Sequence, residues 1–321
     1  KKEGHMKLII QIPCYNEESS LPITLADLPK QIEGIDEIEV LVIDDGSTDK
    51  TVEVAQRAGV KHIVSMPHNC GLAKAFVAGI NASLANGADI IVNTDADNQY
   101  NAADIEKLVL PILKGEADIV IGSRPVSKIE HFSPLKKCLQ KLGSSVMRLL
   151  SSTDVEDAPS GFRAFSKVAA TQINVFDNYT YTLETIIQAR AKGLNLKCVP
   201  IRVNADLRES KLVKNMFDYV RRSMFTMIRM FIIYRPFRFF AILASIFGCL
   251  GILLGLRFLW FYVFGSGVGH IQSLILSAIL IITGVQVGVI AILSELLSIN
   301  RKLLEDVQKR LKIQEILKNN R

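Results

Sequence analysis

Two apolar stretches near the C-terminus restrict this chain more than any other feature. Phe239 to Phe264 is almost wholly apolar with Arg257 as its only charge, and Leu274 to Leu293 is a second uncharged run in which Gln286 is the main polar interruption. As a helix, each is long enough to cross a hydrocarbon core of roughly 30 Å. The other way to satisfy such segments is to bury them as core helices of a soluble domain. Gly265-Ser266-Gly267-Val268-Gly269 between them is a short turn, so a helical hairpin is expected. Hydrophobic content of 49% and a mean hydropathy of +0.26 are high for a soluble chain, and these stretches hold the excess.

Basic residues flank the hairpin on one side. Arg221, Arg222, Arg229, Arg235 and Arg238 precede it, Arg301, Lys302, Lys309, Arg310 and Lys312 follow it, and the turn has no Lys or Arg. The positive-inside rule then places both termini, and everything before the first span, in the cytoplasm. Arg257 falls near the far end of its span, where it can snorkel to the interface; a functional intramembrane charge is the alternative. Much of the formal charge of +6 lies beside these segments, which favours anionic lipid over nucleic acid as a partner. The chain carries no nucleic-acid motif and no internal repeat.

The 321 residues leave room for one globular domain ahead of the hairpin. There, Lys7 to Pro13 reads as a strand running into Cys14-Tyr15-Asn16-Glu17-Glu18. Val40 to Ile43 reads as a second, running into Asp44-Asp45-Gly46-Ser47-Thr48-Asp49, and Ile90-Ile91-Val92 as a third, running into Asp95, Ala96, Asp97 and Gln99. Short apolar runs separated by amphipathic helices predict βαβ units and a parallel sheet. Open α/β sheets bind ligands outside the carboxyl ends of their strands. Two carboxylates one residue apart, with an amide two further on, make an all-oxygen cluster suited to Mg²⁺ or Mn²⁺ and, through the metal, to a substrate phosphate. Any one of these strand ends is explained by ordinary turn chemistry; three on one rim are not.

Ile12-Pro13-Cys14-Tyr15-Asn16-Glu17, Asp44 to Asp49, Asn69-Cys70-Gly71-Leu72-Ala73 and Asp95-Ala96-Asp97-Asn98-Gln99 resemble, in order and spacing, the signatures of inverting family 2 glycosyltransferases of GT-A fold. Gly122-Ser123-Arg124 and Asp157-Ala158-Pro159-Ser160-Gly161-Phe162-Arg163 resemble the branch typified by dolichol-phosphate mannose synthase, which moves a sugar from a nucleotide carrier to a polyprenyl phosphate. The resemblance covers roughly residues 7–235. It implies a Rossmann-like nucleotide-sugar-binding domain and a divalent cation, Mg²⁺ or Mn²⁺, held by Asp97 and Gln99. It places Asp95 between ribose and metal, and Pro13, Tyr15, Glu17 and Asp45 around the base and ribose. The donor is GDP- or UDP-linked.

A lipid monophosphate acceptor is mostly ionised near neutral pH, with a second pKa of about 6, so it needs cationic guidance more than a strong base. Arg124 is the first choice for that role. Lys141 and Ser145, four apart on an expected helix face, occupy the neighbourhood where relatives carry acceptor-phosphate ligands; a solvated helix face is the alternative. Asp157 is expected to act in positioning or as a weak base, with Glu184 as a lesser candidate. Arg163 reads as structural, buried against carboxylates, with a phosphate role as the alternative. Relatives carry Asp-Arg-x-x-Gly-x-Ser-Lys before the hairpin. Here Asn204-Ala205-Asp206-Leu207-Arg208-Glu209-Ser210-Lys211 keeps Ser210 and Lys211, lacks the arginine at 205 and has Arg208 in place of glycine. The three are assigned to the acceptor phosphate, and the altered loop leaves the sugar unassigned.

The expected organisation is a tag or disordered tail over 1–6, with no signal peptide, and a cytoplasmic catalytic domain over 7–209. An amphipathic interfacial helix over 210–236 follows, then two transmembrane helices within 237–299 (about 239–264 and 272–296) and a charged cytoplasmic helix over 300–321. Five cysteines without a Cys-x-x-Cys pair read as free thiols and argue against structural zinc. Polar Gln286, Glu295 and Arg257, with Gly248, Gly251 and Gly255, are compatible with a homo-oligomer. Two other readings compete. One is a same-fold transferase acting on a glycan or lipid hydroxyl, or a processive synthase, whose Gln-x-x-Arg-Trp motif is absent because the only tryptophan, Trp260, follows Phe258-Leu259. The other is a non-catalytic membrane scaffold.

Overall fold

The computed structural model describes residues 5–125, 155, 157–175, 181–204, 221, 225, 228, 229, 231–265 and 271–319. Lys141, Ser145, Arg208, Ser210 and Lys211 lie outside these residues, as do Cys138, the turn Ser266 to Gly269 and most of the expected interfacial helix. The chain divides into two compact units, Lys1–Met227 with Gln308–Arg321, and Ile228–Val307.

The first unit is built on a seven-stranded sheet in the order β3-β2-β1-β4-β6-β5-β7. Its strands are β1 (Lys7–Cys14), β2 (Glu37–Asp44), β3 (His62–Ser65), β4 (Ile90–Asn93), β5 (Ile119–Ser123), β6 (Arg163–Ser166) and β7 (Leu196–Pro200). Helices α1 (Leu21–Asp27), α2 (Thr51–Arg57) and α3 (Leu72–Ala85) connect the first four strands, α4 (Ile105–Leu113) leads into β5, and α5 (Lys167–Gln172) and α6 (Thr182–Ala191) precede β7. The central strands are covered on both faces, which is why they read as unbroken apolar runs. Ile10, Ile12, Val42, Val92 and Val120 belong to one buried cluster with Leu108 of α4. Ile9, Ile43, Ile91 and Phe165 are equally buried, as is Phe76 of α3.

β1, β2, β3 and β4 are mutually parallel, with Cys14 opposite Asp44 and Gln11 opposite Asn93, so their carboxyl ends share one edge. The expectation of a parallel sheet needs one correction. β6 runs antiparallel between β4 and β5, with Arg163 opposite both Asn93 and Ile121. It therefore starts on the edge where its neighbours finish, and the loop before it, from Asp157, joins that rim.

Helices α7 (Pro236–Phe264) and α8 (Ile271–Asn319), the latter belonging to the second unit up to Val307, are long and apolar enough to cross a membrane. They are not buried core helices: Leu253, Trp260, Phe264, Ile275, Ile282 and Leu297 are all exposed. Small residues let the two backbones meet. The Ser277 hydroxyl donates to the Gly251 carbonyl at 2.7 Å, and a β-carbon on Gly284 would stand 3.1 Å from the Gly248 nitrogen. The boundary expected between 299 and 300 falls inside α8, which runs on unbroken from the apolar run into the charged one. Intrahelical hydrogen bonds are indifferent to that change in polarity.

Candidate active site

The rim is assembled from three strand ends and two loops. After β1, Asn16 adopts φ +55 and its side-chain carbonyl accepts from the Thr48 N–H at 2.8 Å, while its own N–H donates to the Ser47 hydroxyl at 2.9 Å. Glu17 donates its N–H to the Thr51 hydroxyl at 2.8 Å and accepts from the Ser20 hydroxyl at 2.5 Å. The turns after β1 and β2 are thereby stapled together, with Pro13 next to last in β1 and Tyr15 40% exposed. Asp45 is buried; its two oxygens accept from the N–H groups of Cys70 and Gly71 at 2.7 and 2.9 Å. The next residue must be glycine, because at φ +70 a β-carbon on Gly46 would lie 2.4 Å from the His68 carbonyl carbon. Asp45 thus ties the segment around Gly71 to the rim.

After β4 the chain alternates. Ala96, Asn98 and Tyr100 are buried, whereas Asp95, Asp97 and Gln99 are only half-buried. The left-handed turn at Asn98 (φ +56), held by its side-chain amide donating to Asp27 at 2.9 Å, keeps this alternation in place. Asp95, Asp97 and Gln99 are thus the oxygen-bearing residues of this turn that keep some exposure. Burial, and after it the neighbouring Asp97 carboxylate, push Asp95 up to about 7. Negative charge packed this densely calls for a cation, and the all-oxygen donor set fits a hard divalent metal.

On the other side of β4 lies a cation the chain already supplies. Arg124 follows β5, and its Nε and Nη2 donate to Asp157 at 2.6 and 3.0 Å. Two separately predicted site residues are thus brought together, with Asp157 completely buried and Arg124 largely so. Glu184 is also fully buried, in the first turn of α6, and accepts from Gln188. Arg163 departs from expectation in its partners. Its guanidinium donates to the carbonyls of Ser160, Thr182 and Ala158 at 2.8, 2.7 and 2.7 Å and to the Thr185 hydroxyl, not to carboxylates. Burial lowers it to about 10, so it stays cationic at neutral pH and pins the 158–160 loop to α6.

Sequence reasoning overlooked the layer beneath the carboxylates, formed by Asn93, Tyr100, Gly161 and Tyr181. Tyr100 had a signal, an aromatic residue directly after the oxygen cluster; Asn93 and Tyr181 had none.

A family model for glycosyl transferase family 2 matches residues 9–173, which contain every strand end just described. The chain belongs to glycosyltransferase family 2. This transferase is 32% identical over 271 residues to the dolichol-phosphate mannosyltransferase of Pyrococcus furiosus, covering 80% of this chain and 73% of that protein. It is also 32% identical over 213 residues to the UDP-N-acetylglucosamine–dolichyl-phosphate N-acetylglucosaminyltransferase of Methanococcus voltae, covering 60% and 83%. Among solved structures, glucosyl-3-phosphoglycerate synthase from Mycobacterium tuberculosis, in complex with Mn²⁺, UDP and phosphoglyceric acid, superposes with a TM-score of 0.57 at 22% identity, over 72% of this chain and 80% of that one. The transferase domain has the GT-A fold.

Proposed function

We propose that the transferase is a membrane-bound, inverting enzyme that moves a sugar from a GDP- or UDP-linked donor to a polyprenyl phosphate, for envelope glycan or protein glycosylation. The observation that carries this reading is the partly exposed oxygen cluster of Asp95, Asp97 and Gln99 with a largely buried arginine, Arg124, on the same rim. Both relatives named above act, by their names, on a dolichyl phosphate, and they differ in sugar.

In this mechanism an acceptor phosphate oxygen attacks the anomeric carbon, and the bond to the nucleoside diphosphate breaks with its electron pair leaving on the diphosphate. Asp97 and Gln99 would hold Mg²⁺ or Mn²⁺, and Asp95 would sit between ribose and metal. When bound, the cation supplies Lewis-acid stabilisation of the leaving diphosphate. Tyr15 and Pro13 flank the base, and Glu17 and Asp45 accept from ribose and base. Arg124 guides the acceptor phosphate, and Asp157 holds that guanidinium in position. Lys141, Ser145, Arg208, Ser210 and Lys211 are assigned to the same phosphate. The exposed apolar helices α7 and α8 support a two-span hairpin in the cell membrane, with the basic flanks, the catalytic domain and both termini cytoplasmic, where nucleotide sugars are made. Gln286, exposed within an apolar run, supports association with further copies of the chain.

The acceptor is tested by comparing polyprenyl phosphate with the matching polyprenol as sole acceptor for the purified full chain. Labelled lipid from the phosphate alone is expected. Equal labelling of the alcohol would move the enzyme to the hydroxyl-acceptor class.

A further inference from the structure

Below the carboxylate cluster runs a buried chain of hydrogen bonds that the transfer chemistry does not itself require. Gln11 Nε2 donates to Asn93 Oδ1 at 2.8 Å. Asn93 Nδ2 donates in turn to the Gly161 carbonyl at 3.0 Å and to the Tyr181 hydroxyl at 2.8 Å. The Tyr181 O–H donates to that same carbonyl at 3.2 Å. Gly161 is therefore gripped from below through its oxygen. From its other side, its N–H donates to the Tyr100 hydroxyl at 3.1 Å. The Tyr100 hydroxyl thereby takes part in holding Gly161 against the Asp95 carboxylate.

Both tyrosine rings are clamped. Tyr100 stacks on Phe162 with centroids 5.0 Å apart, and Tyr181 on Phe76 at 3.9 Å. The fit is tight: a β-carbon on Gly161 would lie 3.2 Å from both Asp95 oxygens and 3.0 Å from the Tyr181 hydroxyl, so one of them would have to give by a few tenths of an ångström. The glycine of the Ser160-Gly161-Phe162-Arg163 segment is thus the floor on which Asp95 rests. Two motifs that lie far apart in the chain meet at one carboxylate.

We propose that Tyr100 and Gly161 are positioning residues for the metal–donor site, the Tyr100 hydroxyl holding Gly161 in place and Gly161 forming the floor that sets the direction of Asp95. The proposal rests on the reading of Asp95 as a ligand of metal and ribose. A neutral phenol is suited to this task. It accepts from the Gly161 N–H without adding a charge that would compete with the cation. Outer partners of metal-binding carboxylates commonly act in this way.

The test uses the full-length chain in detergent and reads Mn²⁺ affinity in the presence of UDP or GDP, independently of turnover. Tyr100→Phe keeps the ring stack and deletes only the hydroxyl. It should weaken Mn²⁺ binding about 10- to 100-fold and lower kcat, while the melting temperature and the KM for polyprenyl phosphate stay near the parent values. Gly161→Ala should show the same pattern more strongly. Phe162→Leu, which loosens the stack but spares the hydroxyl, serves as the packing control and should cost melting temperature more than metal affinity. Parent-like Mn²⁺ affinity in Tyr100→Phe overturns the proposal alone, as does a metal defect equal to that of Phe162→Leu with an equal loss of melting temperature. A parent chain that binds no Mn²⁺ with either nucleotide overturns the underlying reading of Asp95 and the proposal with it.

Discussion

Arg124 and Asp157 are joined at both ends of the guanidinium fork: Nε meets Oδ2 at 2.6 Å, Nη2 meets Oδ1 at 3.0 Å, and the Arg124 backbone N–H adds a contact to Oδ2 at 3.3 Å. A carboxylate that grips a guanidinium in this way orients a cation. Since an ionised lipid phosphate needs no strong base, the geometry and the proposed chemistry agree. Asp157→Asn should keep donor affinity and lose one charge-assisted bond, worth about 2 kcal/mol, or roughly 30-fold in kcat. Binding of the labelled donor together with single-turnover transfer checks this, and unchanged turnover would take Asp157 out of the mechanism.

Acid should weaken the domain through Glu39. Its buried carboxylate lies 2.5 Å from Lys7 Nζ and 3.0 Å from His62 Nε2, and it also pairs with Lys61. Burial alone would raise it, but the hydrogen bonds from Lys61, Lys7 and His62 outweigh burial and lower it from 4.5 to about 2. The folded chain therefore binds this proton less readily than the unfolded chain. The stabilisation is present above pH 4.5 and is lost as pH falls toward 2. It amounts to about 2 kcal/mol after discounting for the exposed Lys61. Glu39→Gln should melt several degrees lower at neutral pH and show a flatter melting temperature between pH 4.5 and 2 than the parent. Parallel pH curves for the two proteins would contradict the assignment.

Gln286 predicts the behaviour of the hairpin. It is exposed on α8 among Ile279, Ile282, Val289, Ile290 and Leu293, away from the seam where Ser277 meets Gly251. An amide can both donate and accept, so two copies can satisfy each other where lipid cannot, with about 1 kcal/mol per bond. Gln286→Leu should shift the detergent-solubilised chain toward smaller species by light scattering while leaving the melting temperature of the catalytic domain intact. An unchanged mass would place the association surface elsewhere or remove it.

The parts legible in the sequence were those written locally. β1, β2 and β4 announced themselves as apolar runs ending in acids, because strands buried on both faces leave an unbroken signal and parallel strands bring their ends to one rim. β6 did not, since Arg163-Ala164-Phe165-Ser166 is too short to show a pattern and a strand carries no mark of its direction. The partners of Arg163 were misjudged for a related reason: a buried guanidinium can be satisfied by carbonyls, which every residue has. The layer beneath Asp95 was beyond reach because Gln11, Asn93, Tyr100, Gly161 and Tyr181 come from five separate places in the chain. The run of α8 through Asn300 was hidden by a change from apolar to charged side chains that the backbone ignores.

The most direct test of the account is transfer from labelled GDP- and UDP-sugars to polyprenyl phosphate by the full chain, with Mg²⁺, with Mn²⁺ and with EDTA, in the parent and in Asp97→Ala. The account predicts label in the lipid fraction from one nucleotide class, abolished by EDTA and reduced at least about 100-fold in Asp97→Ala. Labelling that survives both EDTA and Asp97→Ala would contradict it.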